Sequence, residues 1–232
     1  MPSRSLLTAR GKGKDGAQLG RRFHRAFLLA ASAHARQRKK GTEVPYLAHL
    51  MGVSAIVLEA GGDEDMAIAA LLHDVVEDCG GRLMLDLVRK YFGKRVAHIV
   101  DGCTDAYSYP KPPWEERKQR YLTRLRTEDE EVRLVSAADK LYNLRSILSD
   151  YRQIGDAIWD RFAGGRGGTL WYYRALVEEF RRGKPNRITE ELERVLGELE
   201  RCLDCPSPDG NKRSRKKNVG NEIQQGAGLC RA

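Results

Sequence analysis

The sequence lacks any apolar segment long enough to cross a membrane. Its longest uninterrupted apolar run, Met66 to Leu72, covers seven positions, whereas a membrane-spanning helix needs about 20. The N-terminal stretch MPSRSLLTARGKGKDG contains basic residues but none of the apolar core of a secretory signal peptide. We therefore expect a protein that works in the cytoplasm and has no membrane partner.

Cysteine is scarce, and its five copies are scattered along the chain. Cys79, Cys103 and Cys230 stand alone, whereas Cys202 and Cys205 form a single CxxC pair. A four-ligand structural zinc site would need a second close pair of Cys or His residues. We therefore expect reduced thiols rather than a structural zinc site.

The central part of the chain has no net charge, although the whole sequence has a formal charge of +9. Residues 1–22 carry six basic residues against one acidic residue, and residues 201–232 carry seven against three. The remaining 28 basic and 28 acidic residues balance. Because the excess lies at the two ends, it gives little support for a nucleic-acid partner. We expect residues 1–19 and 204–232 to be flexible, disordered basic tails.

No segment shows the alternation of apolar and polar residues that predicts a β-strand. Apolar residues instead recur at three- and four-residue steps, as in Phe23, Phe27 and Ala30, and this spacing is typical of amphipathic helices. Three prolines interrupt the helical pattern within the segment 107–114. We therefore predict an all-α fold, with one helical-bundle domain over residues 20–203.

Glycines and one aspartate mark several expected helix boundaries. Asp63 follows two glycines and is a suitable N-cap for the helix that contains the apolar run. A long helix is predicted from about Glu130 to Tyr151. The glycine-rich segment 164–168 predicts a break, followed by a helix over Leu170–Arg182.

The stretch LLHDVVED, residues 71–78, places four ionisable side chains directly behind the apolar run. If the stretch is helical, His73 lies one turn from Glu77 and Asp74 lies one turn from Asp78, because residues four positions apart share a helix face. A solvated acidic helix end would account for Glu77 and Asp78. It would not account for His73 and Asp74, because a buried aspartate must be paired or bind a metal.

Two further residues complete a candidate metal site. His49 lies in PYLAHL and Asp139 in VSAADKLYN, each among small and apolar residues. Together with His73 and Asp74 they form a mixed nitrogen and oxygen set that suits Mn²⁺, Fe²⁺ or Zn²⁺. Fewer than six protein ligands leave a position for water, whose pKa a divalent ion lowers. This chemistry favours metal-assisted hydrolysis of a phosphorylated substrate.

A basic cluster lies shortly before His49 and consists of Arg36, Arg38, Lys39 and Lys40. A substrate with several phosphate charges would need such a cluster near the metal. The alternative is a basic helix C-terminus that complements the helix dipole.

The same residues resemble the motifs of the HD-domain metal phosphohydrolases. HDVVED at 73–78 is similar to the HDxxED signature of the RelA/SpoT-type hydrolases of the alarmones guanosine tetra- and pentaphosphate. KKG followed by PYLAH, and DKLYN at 139–143, resemble two further segments of that family in the same order. The resemblance covers roughly residues 20–150 and implies that the predicted domain is an HD-domain helical bundle.

The resemblance also implies a role for each matched residue. Four residues would hold the divalent metal ion, with Mn²⁺ as the expected ion: His49, His73, Asp74 and Asp139. Two would be the catalytic carboxylates: Glu77 and Asp78. Three would bind the nucleotide substrate: Lys39, Lys40 and Asn143. The implied reaction removes the 3′-pyrophosphate of guanosine tetra- or pentaphosphate and gives GDP or GTP plus pyrophosphate.

The resemblance further implies a small stand-alone hydrolase, because a synthetase domain would not fit after residue 203. Two other functions stay open. One is an HD enzyme that acts on an adenine alarmone or another nucleotide, although many such enzymes lack an acidic pair like Glu77 and Asp78. The other is a non-enzymatic helical module whose basic tails bind nucleic acid. That function would require degenerate metal residues, whereas all four are intact. The sequence does not determine the oligomeric state.

Overall fold

The computed structural model describes residues 18–107 and 110–204, which form ten α-helices and one 3₁₀ helix, Gly155–Arg161. The α-helices, in chain order, are α1 (Arg21–Ala33), α2 (Leu47–Glu59), α3 (Glu64–Leu72), α4 (Val75–Cys79), α5 (Gly81–Phe92), α6 (Lys94–Cys103), α7 (Trp114–Leu125), α8 (Glu130–Ile154), α9 (Gly165–Arg181) and α10 (Arg187–Asp204). Among these residues the only β-type pairing is an isolated bridge between Arg38 and Pro45. The predicted all-α fold is confirmed, whereas nearly all of both predicted tails lies outside the described residues.

The helices α3 and α8 form the centre of the bundle. Every residue of α3 from Met66 to Leu72 is buried, which explains an apolar run without polar positions. Helix α3 packs against α1, α2 and α6, and α8 packs against α2, α6 and α10. None of the helices in the described ranges combines the length and the apolar composition of a membrane span.

Two aspartates cap the central helices. Asp63 Oδ1 accepts a hydrogen bond from the Met66 N–H at 3.1 Å, so the predicted N-cap of α3 is confirmed. Asp129 Oδ1 accepts from two backbone N–H groups in the first turn of α8. Each cap satisfies donors that a helix N-terminus otherwise leaves unpaired, and so fixes where the two site-bearing helices begin.

The motif at residues 71–78 does not form one continuous helix as predicted. Helix α3 ends at Leu72 and α4 begins at Val75, with His73 and Asp74 between them. Both intervening residues keep right-handed helical backbone angles, and the Asp78 N–H still donates to the Asp74 carbonyl at 2.9 Å. The interruption therefore occurs at the two residues expected to hold the metal.

The glycine-rich segment 164–168 begins a helix instead of separating two helices. Helix α9 starts at Gly165, so most of this segment is its first turn. A Cβ atom at Gly164 or Gly168 would lie 2.7 or 3.1 Å from the Trp114 ring, which shows that the missing side chains make room for the indole. This contact between distant segments overrides the low helix propensity of glycine.

Candidate metal site and adjoining cavity

Four donor atoms from three parts of the chain converge inside the bundle. His49 lies on α2, His73 and Asp74 lie between α3 and α4, and Asp139 lies on α8. His73 Nε2 is 3.0 Å from Asp74 Oδ2 and 3.6 Å from Asp139 Oδ1. His49 Nε2 is 3.6 and 3.3 Å from the same two oxygens, and the two Nε2 atoms are 3.3 Å apart. All four predicted metal ligands therefore lie together.

The hydrogen bonds of His73 indicate what this cluster can bind. Its Nδ1 lies 2.8 Å from the Ala70 carbonyl oxygen, which can only accept, so Nδ1 carries a proton and donates. In the neutral ring Nε2 then presents its lone pair to the oxygens of Asp74 and Asp139. Ligands that share one ion at bond lengths of about 2.1 Å lie about 3 to 3.5 Å apart. The donor chemistry fits one divalent transition-metal ion, and donor atoms of His49, His73 and Asp74 all lie within 4.8 Å of one another. Asp139 lies outside that group but approaches both histidines to 3.3 and 3.6 Å.

The charges of the cluster favour a cation at this position. Burial raises the pKa of Asp139, but the Lys140 ammonium and hydrogen bonds to both histidines outweigh burial and hold the pKa well below its usual range. Burial lowers the pKa of His73, but the charge of Asp74 and hydrogen bonds to both aspartates raise it well above its usual value. Burial raises the pKa of Asp74, but the charge of His73 and hydrogen bonds to both histidines hold it well below its usual value. Both aspartates therefore stay ionised at neutral pH and favour a cation beside them, either the protonated His73 ring or a metal ion.

A second layer of side chains orients the two carboxylates. The Tyr46 hydroxyl donates to Asp74 Oδ2 at 2.5 Å. Asn143 Nδ2 donates to Asp139 Oδ1 at 2.6 Å, and Lys140 Nζ donates to Asp139 Oδ2 at 2.5 Å. Such partners fix the direction of metal ligands. Asn143, expected to bind the nucleotide, thus also orients a predicted metal ligand.

The acidic pair on α4 is held by a lysine that no motif identified. Glu77 accepts a hydrogen bond from the Asp105 N–H at 3.1 Å and from Lys111 Nζ at 2.7 Å. Asp78 accepts from the same Lys111 Nζ at 3.3 Å. Lys111 belongs to the proline-rich segment between α6 and α7, where the prolines predict only an interruption of the helical pattern. Glu77 lines the adjoining cavity, and Asp78 is not among the described residues that do.

Asp78 is instead connected to a buried histidine through a glutamine. Gln37 Nε2 donates to Asp78 Oδ2 at 2.9 Å, and Gln37 Oε1 lies 2.5 Å from His34 Nδ1. Because an amide oxygen only accepts, His34 Nδ1 must donate to it. His34 is 2% exposed, and this connection fixes its orientation. No sequence motif includes Gln37 or His34, and their positions in the sequence do not indicate a contact with α4.

A cavity of about 280 Å³ opens beside the metal donors. Asp74, Glu77, Asp105, Asp139 and Asn143 are among the residues that line it. Four cations line it as well, and we call them the cationic side: Lys111, Arg117, Lys118 and Lys140. Carboxylates that could bind a metal ion and cations that could bind phosphate therefore share one small space.

The two lysines predicted to bind the substrate lie elsewhere. Neither Lys39 nor Lys40 is among the described residues that line the cavity. Lys39 belongs to a tight turn in which its N–H donates to the Val44 carbonyl at 2.8 Å. Burial lowers the pKa of Lys39, and the nearby Asp150 partly offsets that effect. The ammonium of Lys39 therefore lies near the end of α8.

Comparison with known proteins finds a family match and relatives of the same fold. Residues 26–170, which contain all four metal donors, match the family model described as HD domain. The guanosine-3′,5′-bis(diphosphate) 3′-pyrophosphohydrolase MESH1 of Homo sapiens is 38% identical over 138 residues, covering 58% of this chain and 72% of that protein. MESH1 of Xenopus tropicalis is 40% identical over 122 residues, covering 51% and 65%.

A longer relative and a solved structure extend this comparison. A probable guanosine-3′,5′-bis(diphosphate) 3′-pyrophosphohydrolase of Synechocystis sp. is 35% identical over 126 residues, and the match spans 53% of this chain but 16% of that protein. A solved metazoan ortholog of SpoT, described as hydrolysing ppGpp, superimposes with a TM-score of 0.65 at 28% identity. That superposition covers 78% of this chain and 97% of the other.

Proposed function

The chain belongs to the HD-domain family, and from this premise we propose that it hydrolyses the 3′-pyrophosphate of guanosine tetra- or pentaphosphate. The convergence of two imidazoles and two carboxylates beside Glu77 carries the proposal. Proteins with 35–40% identity to this chain bear the name of that activity. The products would be GDP or GTP and pyrophosphate.

The metal site is the first part of the proposal. HD-domain hydrolases bind divalent metals, and the ion here would be held by His49, His73, Asp74 and Asp139. We propose Mn²⁺, because a mixed imidazole and carboxylate set suits it. When bound, such an ion lowers the pKa of a water molecule and neutralises phosphate oxygens.

Glu77 is the residue proposed to take the proton of the attacking water. Its carboxylate lines the cavity, and hydrogen bonds from the Asp105 N–H and Lys111 hold its direction. The water oxygen forms a bond to the phosphorus next to the ribose. The bond from that phosphorus to the 3′ oxygen breaks, and the 3′ oxygen takes up a proton from solvent and leaves as a hydroxyl group, while Glu77 releases the proton it accepted back to solvent. Asp78 supports this step by holding Lys111 and the Gln37 amide.

The remaining assignments concern the whole protein. We assign the hydrolase domain to residues 20–203 and the substrate to the nucleotides, with Lys39, Lys40 and Asn143 as nucleotide contacts. The cavity volume of about 280 Å³ lies just below the range typical of drug-sized ligands, so we propose that the nucleoside extends outside it, where exposed basic residues can reach its other phosphates. We propose the cytoplasm as the location, because these nucleotides are cytoplasmic metabolites.

A parallel assay tests the proposal. Purified protein with Mn²⁺ is given guanosine and adenosine 3′,5′-bis(diphosphate) separately, and the products are identified by ³¹P NMR. We expect the guanine substrate to give GDP and pyrophosphate in equal amounts. Release of orthophosphate, or turnover of the adenine substrate alone, would contradict the proposal.

A further inference from the structure

The cationic side of the cavity contains two neighbouring basic residues that no motif assigns. Arg117 and Lys118 lie in the first half of α7, and both side chains reach the carboxylate of Asp105. Lys118 Nζ is 2.8 Å from Asp105 Oδ2, and Arg117 contacts the same oxygen. Their side chains are only 17% and 14% exposed. Both cations are therefore largely buried at the cavity.

One carboxylate does not compensate two buried cations. Both cations use Asp105 Oδ2, while Asp105 Oδ1 is buried without a hydrogen-bond partner among the described residues. Burial lowers the pKa of Lys118 even though Asp105 raises it, and Lys140 lowers it further. A buried charge is stable only when it is well paired. This part of the cavity thus has an excess of positive charge that a further anion would neutralise.

The volume of the cavity limits what that anion can be. Pockets that enclose drug-sized ligands have volumes of about 300–1,000 Å³, and this cavity has about 280 Å³. Pyrophosphate, with about nine non-hydrogen atoms, fits a space just below that range more readily than guanosine tetraphosphate, which has about 36. The cavity therefore suits the pyrophosphate end of the substrate.

We propose that Arg117 and Lys118 form the binding site for the pyrophosphate group that is transferred to water. The metal donors and these two cations line the same cavity, so one phosphorus can lie at the metal while the terminal phosphate contacts α7. The guanidinium of Arg117 offers two parallel donors to that phosphate, and the Lys118 ammonium adds a point charge. This inference rests on the proposed function, since that reaction defines the group.

Direct binding of inorganic pyrophosphate tests this site without turnover. The Mn²⁺-loaded full chain is titrated with pyrophosphate by calorimetry, and wild type is compared with Arg117→Gln and Lys118→Gln. Each change removes a charge-assisted contact, so we expect the dissociation constant to rise at least tenfold. Arg120→Gln is the matched control, because Arg120 lies on the same helix, is 62% exposed and pairs with Glu116. We expect its dissociation constant to stay within twofold of wild type.

Asp105→Asn gives a change in the opposite direction. It removes the anion that competes for both cations, so pyrophosphate should bind at least threefold more tightly. A misfolded variant could not bind more tightly, so this result separates binding from folding. Arg117→Gln leaves Lys118 paired with Asp105, and Lys118→Gln leaves Arg117 paired with it. Thermal melting curves show whether each of these variants is folded.

The outcomes separate this site from the proposed function. If both folded cation variants and Asp105→Asn bind pyrophosphate like wild type, the site is wrong, even when wild type hydrolyses guanosine tetraphosphate. If the expected affinity changes occur but wild type releases no pyrophosphate from the nucleotide, the anion site is supported and the proposed function is wrong.

Discussion

The metal-donor side of the cavity and its cationic side are built in different ways. His49 and His73 are 3% and 2% exposed and come from segments packed in the core. The carboxylates beside them accept further hydrogen bonds: Asp74 accepts one from Tyr46, and Asp139 accepts one from Asn143. The cationic side comes mainly from α7 and the segment before it, and is held by ion pairs whose cations are between 14% and 34% exposed.

This difference has an energetic consequence. Closely packed interiors resist rearrangement, so a substitution among the buried donors removes the geometry that all four share. Each cation of the cationic side instead contributes mainly its own electrostatic interaction with a ligand. We therefore expect a substitution of one metal donor to abolish metal binding and turnover together, and a substitution outside that shared geometry to change kcat, KM or affinity by a smaller, separate step. Four predictions compare the buried donors with such residues, from the largest expected effect to the smallest.

The largest effect should come from His73→Ala. The variant loses a donor whose ring is fixed by the Ala70 carbonyl, and it removes the nitrogen that lies 3.0 Å from Asp74 Oδ2 and 3.6 Å from Asp139 Oδ1. We expect the metal content to fall from about one ion per chain to about a tenth and kcat to fall at least ~10³-fold. Elemental analysis and steady-state kinetics measure both.

A matched histidine provides the control for this prediction. His98→Ala changes an imidazole on α6 that is 53% exposed and pairs with Asp129. It should keep full metal content and normal turnover. Full metal content in His73→Ala as well would show that the four donors do not act as one metal site.

The second effect should separate the two carboxylates of α4. Glu77→Gln keeps an acceptor for the Asp105 N–H but loses the proton acceptor, so we expect kcat to fall about 10²–10⁴-fold with the metal retained. Asp78→Asn should cost about tenfold, because Asp78 acts through Lys111 and Gln37. Equal losses in both variants would contradict this division of roles. Glu116→Gln on the exposed face of α7 is the control.

Parts of this site could be predicted from the sequence because they depend on local pattern. His73 and Asp74 directly after an apolar run implied buried polar groups, and the run does lead into a cluster of His49, His73 and Asp74 that could hold a metal ion. The helix over α8 was expected from spacing, and it extends only three residues beyond Tyr151. Burial and helical periodicity act within one segment, so one segment is enough to show them.

Other parts depend on contacts between distant segments. Lys111 lies among prolines that indicate only a loop, and the sequence contains nothing that directs its ammonium to Glu77 and Asp78. Arg117 and Lys118 occur in the charged stretch WEERKQR, where many positions could be solvated. Only the packing of α7 against α9 determines which of these charges turns inward. These residues therefore could not be assigned before the fold was known.

The third effect should come from Gln37, which links Asp78 to His34. Gln37→Leu keeps a similar volume but removes the donor to Asp78 and the acceptor for His34. We expect kcat to fall about three- to tenfold, the value of one hydrogen bond. In an Asp78→Asn background the same change should have little further effect, because interacting residues are not additive. Additive losses in this double-mutant cycle would show that Gln37 acts independently of Asp78.

The smallest effect should come from the double variant Lys39→Ala/Lys40→Ala. Lys40 is exposed, Lys39 is half-buried in the turn before α2, and the described cavity lining includes neither. If they contact phosphates that project beyond the cavity, they bind substrate and transition state about equally, so KM should rise about two- to fivefold with kcat unchanged.

Added salt screens exposed charges more than buried ones. Raising the ionic strength should therefore weaken substrate binding less in this variant than in wild type, whereas Arg117→Gln should keep most of the wild-type salt dependence. The KM of Arg117→Gln measured in parallel decides between the two regions. If KM rises more in the lysine variant than in Arg117→Gln, the turn before α2 is the main phosphate-binding region and the cationic side of the cavity is not.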